Sequence, residues 1–87
     1  MKGLIISLIP KDASGIERNK KFLDSNALKL TLGRGEMQED GTLKCIWGFE
    51  KVIPDRMIER IAKTFSKNLD EAKTRGDNFT YEVEFVK

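Results

Sequence analysis

Apolar and polar positions along the chain fall into four stretches of period two and two of helical period. Residues 3–9, GLIISLI, are apolar on both faces: Leu4, Ile6 and Leu8 point one way, Ile5, Ser7 and Ile9 the other, and Pro10 ends the run. That pattern predicts a central strand. Leu28, Leu30 and Leu32 alternate with Lys29 and Thr31 and predict a second strand. A third is predicted within GTLKCIWGFEKV (residues 41–52), and Asp40-Gly41 suits a two-residue hairpin turn between the two, because glycine accepts positive φ freely. That turn would set Leu32 opposite Phe49 and Arg34 opposite Trp47, with Gly33 and Gly35 marking a bulge. The fourth strand alternates cleanly, with Phe79, Tyr81, Val83 and Phe85 against Thr80, Glu82 and Glu84.

The helical stretches differ in strength. Over residues 15–24, Ile16 and Leu23 share a face with Phe22 beside them. Ser14 and Glu17 have capping-box spacing, and Asn26 is placed to close the helix. Residues 54–75 carry the stronger signal: Met57, Ile58, Ile61, Phe65, Leu69 and Ala72 form one stripe at about 100° per residue. Pro54 suits the first turn and Gly76 the stop, while Glu59–Lys63 and Glu71–Arg75 are favourable i, i+4 pairs.

The resulting order, β-α-β-β-α-β over residues 1–87, predicts a single α+β domain: a two-layer sandwich with an antiparallel four-stranded sheet and two helices on one face, the ferredoxin-like arrangement. If residues 12–26 form a loop, β-β-β-α-β is the fallback. The helices need an apolar face to cover. The best set joins Leu4, Ile6 and Leu8 to Leu28, Leu30 and Leu32, to Leu43, Cys45, Trp47 and Phe49, and to the aromatic side of the last strand. Strict alternation then assigns Ile5, Ser7, Ile9, Lys29, Thr31, Lys44, Ile46, Gly48, Glu50, Thr80, Glu82, Glu84 and Val86 to the open face. Trp47-Gly48-Phe49 resembles the aromatic-glycine-aromatic strand of RNA recognition motifs, which stack bases on open-face rings. The expected facing turns both rings toward the helices and leaves the open face without one.

Composition narrows the chemistry. The chain is 87 residues, 39% hydrophobic and 34% charged, which suits one small folded domain rather than a disordered segment. A net charge of +2 is too small to argue for nucleic acid by itself, although residues 1–35 hold seven basic against three acidic side chains. One cysteine forms no internal disulfide and fits a reducing, cytoplasmic setting. No apolar run approaches the 18 or so residues of a membrane span. There is no histidine, so the commonest general base and metal ligand is missing, and one cysteine builds no zinc site. No catalytic, metal or cofactor residues are assigned, and a non-enzymatic role is expected.

Three places remain as candidate sites. Pro10–Gly15 brings amides at a helix start together with Lys11, an arrangement suited to an anion. Ile5, Ile9, Ile46 and Val86 would form an apolar patch on the open sheet face, rimmed by Lys44, Glu50, Glu82 and Glu84, as a protein partner or a second copy would need. Arg56, Arg60, Lys63 and Lys67 lie within about 60° of one another on the long helix, opposite its apolar stripe. With Arg18, Lys20 and Lys21 they would make a basic layer for nucleic acid. The expected function is a protein-binding module, a regulator or inhibitor that occupies a site on a larger protein. Size and composition suit the small regulators of phage and mobile elements. The alternative is a nucleic-acid-binding domain that uses the basic helical face.

Overall fold

The computed structural model describes residues 2–87, in the order β1 (Gly3–Pro10), α1 (Ala13–Asp24), α2 (Ala27–Leu30), β2 (Arg34–Met37), β3 (Leu43–Trp47), α3 (Asp55–Arg75) and β4 (Phe79–Val86). The strands make one open antiparallel sheet in the order β2-β3-β1-β4. The apolar strands β1 and β3 are central, as their patterns require. Leu4, Ile6, Leu8, Leu43, Cys45 and Trp47 are buried on the sheet face that meets Leu28 of α2 and Ile58, Ile61, Ala62 and Leu69 of α3. The chain is a single compact α+β domain with its core between the helices and one face of that sheet. No helix among the described residues is long and apolar enough to cross a membrane.

The capping of α1 differs from the expected box. Asp12 is the N-cap: its carboxylate accepts the Gly15 N–H (3.0 Å) and the Ser14 hydroxyl (2.6 Å), while Glu17 turns to Lys20 (3.6 Å). Aspartate supplies the N-cap acceptor without a reciprocal glutamate, and the helix starts two residues early. Asn19 then fastens the helix to the sheet. It is fully buried, and its amide donates to the Leu8 and Gly41 carbonyls, both at 2.9 Å. Ser25, not Asn26, ends α1, its N–H donating to the Lys21 and Phe22 carbonyls.

Residues 27–32 are not a strand. Ala27–Leu30 is one turn of helix, closed by the two hydrogen bonds of a Schellman motif: Gly33 N–H to the Leu28 carbonyl (2.7 Å) and Leu32 N–H to the Lys29 carbonyl (3.1 Å). Alanine, leucine and lysine are strong helix formers, and this stretch has no β-branched residue before Thr31. Only Leu28 of the three leucines is buried; Leu30 and Leu32 are exposed.

The hairpin also slips by one residue from the expected register. Gln38 N–H bonds the Thr42 carbonyl across a three-residue loop, with Gly41 at φ 89°. That loop pairs Arg34 with Ile46 and Gly35 with Cys45. A one-residue slip exchanges the faces of a strand. Arg34 therefore stands on the open face, and Gly35 lies under Leu23 of α1.

Candidate functional site

Trp47 is the hinge of the helical side and belongs to the core, as expected. Its indole N–H donates to the Thr31 hydroxyl (3.0 Å), which reaches on to the Leu28 carbonyl (3.0 Å). Its ring meets Phe65 of α3 edge-on, centroids 4.9 Å apart, and Phe22 of α1 stacks on the other side of Phe65 at 6.2 Å. The indole lies so close over Gly33 that a side chain there would strike Nε1. Cys45, beside it on β3, is buried, and burial pushes its thiol up to about 12, so it is a small apolar core group.

Gly33 is thus reserved by Trp47, and this constrains the residue before it. The C′ position of a Schellman motif takes the left-handed conformation, where glycine is the usual occupant. Here it is Leu32, at φ 65° the only non-glycine residue with positive φ among those described. A branched side chain in that region costs roughly 1–2 kcal/mol. The strained leucine is not pulled inward: it is 49% exposed. With Leu30 (82% exposed) and Met57 (43% exposed) it borders an open groove of about 370 Å³ between α2 and α3, lined also by Thr31, Arg60, Ile61, Thr64 and Phe65. Sequence reasoning assigned Leu30 and Leu32 to the core. The signal that marks them is Gly33, since a helix ending one residue earlier leaves a leucine at the glycine position.

The open sheet face is less apolar than the sequence implied. Across the sheet its residues run Arg34–Ile46–Ile5–Glu84, then Glu36–Lys44–Ser7–Glu82. Ile46 is only 7% exposed, so it is a folded-state contact and not a wet patch centre. Arg34 and Ile5 flank it, and Arg34 is held by Glu36 and by Glu50 (3.1 Å). Phe49 is not in the core. Gly48, at φ 95°, breaks the alternation after Trp47, and the Phe49 ring lies over Gly3, where a β-carbon would approach it to 2.6 Å. Gly3 belongs to the face of Ile5, so the open face does carry one ring, half exposed near its upper end. Ile5 and Ile9 are half-buried and separated by Ser7, while Lys44, Glu82 and Glu84 are exposed around them.

The basic residues divide. Arg56, Arg60, Lys63 and Lys67 are exposed along α3 and make no ion pair among the described residues. Arg18 is diverted from the expected layer: its guanidinium lies 3.6 Å from the Phe79 ring centroid and donates to Asn19 (3.0 Å), and burial lowers its pKa. Lys20 pairs with Glu17, and Lys21 is exposed in the last turn of α1. The expected anion loop is also spoken for, because the Asp12 carboxylate already holds the Gly15 amide, and Lys11 pairs with Asp77 at 2.9 Å.

Among the described residues no group of three or more acidic, histidine or cysteine side chains is placed to hold a metal ion. Comparison with known families, with curated proteins and with solved structures finds no match for the chain.

Proposed function

We propose that this protein is a small protein-binding module that acts by contact and not by catalysis, and that its contact surface is the groove between α2 and α3. The observation that carries the reading is Leu32. A leucine held in left-handed backbone, with half its surface in water, costs stability and returns little to the core. Its neighbours Leu30 and Met57 are also large, apolar and exposed. Three such residues around one concavity are what a partner site looks like before the partner arrives. A regulator or inhibitor that occupies a site on a larger protein fits this geometry. The strand order β2-β3-β1-β4, with α1 and α3 as the crossovers, supports reading the scaffold as a ferredoxin-like split βαβ sandwich. The lone buried Cys45 supports a cytoplasmic setting.

The test is a capture experiment from the source cells with wild type, Leu32→Gly and Ile5→Lys as baits. Leu32→Gly should lose the captured proteins while melting higher than wild type, since it removes both the contact and the strain. Ile5→Lys should keep them. Equal capture by wild type and Leu32→Gly would sink the groove as the contact surface. Loss with Ile5→Lys alone would return it to the open sheet face, with Ile9, Lys44, Glu82 and Glu84. A second reading rests on the exposed stripe Arg56, Arg60, Lys63 and Lys67 as a nucleic-acid surface. It requires binding of an oligonucleotide at about 50 mM salt that falls steeply as salt rises.

A further inference from the structure

The groove and the basic stripe share one edge. At about 100° per residue, Arg60 stands roughly 60° round α3 from Met57, and Lys67, Arg56 and Lys63 follow within a further 60°. Arg60 lines the groove itself. Arg60 therefore stands on its outer rim, and Lys67, Arg56 and Lys63 continue that row round the helix away from it, the four stepped over about 16 Å of helix axis. The acids of α3 are divided between its two flanks. Glu59 and Asp70 face the other flank, where Asp70 accepts the Tyr81 hydroxyl at 2.5 Å. On the groove's own flank the next acid is Glu71, seven residues past Thr64.

From this placement we infer that the groove takes an amphipathic helix of another protein, with a row of large apolar side chains and a flanking row of Asp or Glu. The inference rests on the groove being a protein-binding site. Charge selects the acid: an apolar floor of Leu30, Leu32, Met57, Ile61 and Phe65 beside a row of cations that make no ion pair among the described residues favours an apolar stripe with carboxylates along one side. A second copy of this chain is disfavoured, because groove against groove sets the same cations against themselves. Backbone chemistry selects the helix. The residues that line the groove come from α2, its C-terminal turn and α3, so no sheet edge lines it to pair an extended strand. A helix satisfies its own backbone before it covers an apolar floor.

The experiment uses the full chain and two labelled synthetic helices of about eleven residues, the length that matches the row of cations. Both carry the same leucine and phenylalanine stripe; one is flanked by Glu, the other by Lys. Fluorescence anisotropy should show the Glu helix binding at least about tenfold tighter. Amide shifts should map to Leu30, Leu32, Met57 and Arg60. A variant with Arg60→Glu, Lys63→Glu and Lys67→Glu should reverse the order, its helicity unchanged by circular dichroism. No binding, equal binding of the two helices, or shifts centred on Ile5 and Glu82 would overturn the inference. So would a single-stranded oligonucleotide that produces the same groove shifts at lower concentration than the Glu helix. The groove reading is decided separately: if Leu32→Gly still abolishes capture while neither helix binds, the groove stands and its occupant is of other chemistry.

Discussion

Two of the surfaces on which this small domain turns apolar side chains to water are built in opposite ways. On the open sheet face the isoleucines sit on central strands, so neighbours on both sides cover them. Ile46 has Arg34 and Ile5 across the ladder, and Phe49 is folded over the same face at Gly3. At the α2–α3 groove Leu30, Leu32 and Met57 sit at a helix end and on a helix flank, where the described residues leave each of them exposed. Leu30 is the most exposed of the groove's leucines, and Leu32 is held outward by its own backbone. An apolar residue on an uncovered sheet is therefore weaker evidence for a partner than one that the local backbone forces into solvent.

The largest effect should come from the residue that joins the groove to the core. Trp47→Ala removes the ring that supports Phe65 and Gly33 and leaves the Thr31 hydroxyl without its donor. It should cost about 3–5 kcal/mol in chemical denaturation and abolish binding at the groove. A cost under about 1 kcal/mol would show that the groove wall stands without it. The sheet face offers the matching test. Ile46→Lys buries an ammonium beside Arg34 and should destabilise by about 3 kcal/mol, whereas Ile5→Lys, half in water beside Glu84, should cost much less. Equal tolerance of both would restore Ile46 to an exposed patch and weaken the contrast between the two faces.

Much of the scaffold was legible because its signals are redundant. β1, β3 and β4 alternate over enough residues to fix their type, and α3 carries six apolar positions in one stripe; on β4, however, Val83 and Phe85, expected under the helices, are exposed, and only Phe79 is buried. Single-residue events were the illegible part. A three-residue loop in place of a two-residue turn exchanged the faces of β2, and Gly48 alone sent Phe49 to the other side of the sheet. Residues 28–32 alternate as a strand would, and only their composition favours the helical turn that forms. The groove was hidden for the same reason: Leu30 and Leu32 had been placed in the core by a strand that does not exist. The basic stripe was read correctly as a solvent-facing row, but its position beside a groove depends on where α2 lies.

Two adjacent residues sharpen the argument about strain. Gly33→Ala drives a methyl into the Trp47 indole and should cost about 1–3 kcal/mol. Leu32→Gly, one position earlier, relieves the left-handed penalty and should stabilise by up to about 1 kcal/mol, less the extra freedom glycine gives the unfolded chain. Opposite signs at neighbouring positions would report two separate causes, the Trp47 ring over Gly33 and the left-handed backbone at Leu32. If Leu32→Gly destabilises instead, the leucine contributes to folding, and its exposure no longer points to a partner.

The smallest effect concerns acid. Asp12, Asp40 and Asp77 all lie at the end of the sheet remote from Trp47, in the loops around Pro10, Thr42 and Phe79. Each carboxyl is held below its ordinary value of 3.8: Asp12 by the Ser14 hydroxyl and the Gly15 amide, Asp40 by the Thr42 amide, and Asp77 by Lys11. A lowered folded-state pKa stabilises above the unfolded value and is lost as pH falls through the folded one. The domain should therefore keep its full stability down to about pH 4 and loosen below it, first at this far end. All three carboxyls are exposed, so solvent screening keeps the change small. Asp12→Asn retains a good N-cap while removing one titrating group, and it should flatten the acid limb of melting temperature against pH. Hydrogen exchange locates the loss. Between pH 5 and 3, corrected for intrinsic rates, amides near Gly15 and Thr42 should gain exchange before those near Met57 and Ile61, because no carboxyl lines the groove. If the groove opens first, the acid-sensitive contacts lie in the α2–α3 region, and the site is less independent of the far end than its geometry implies.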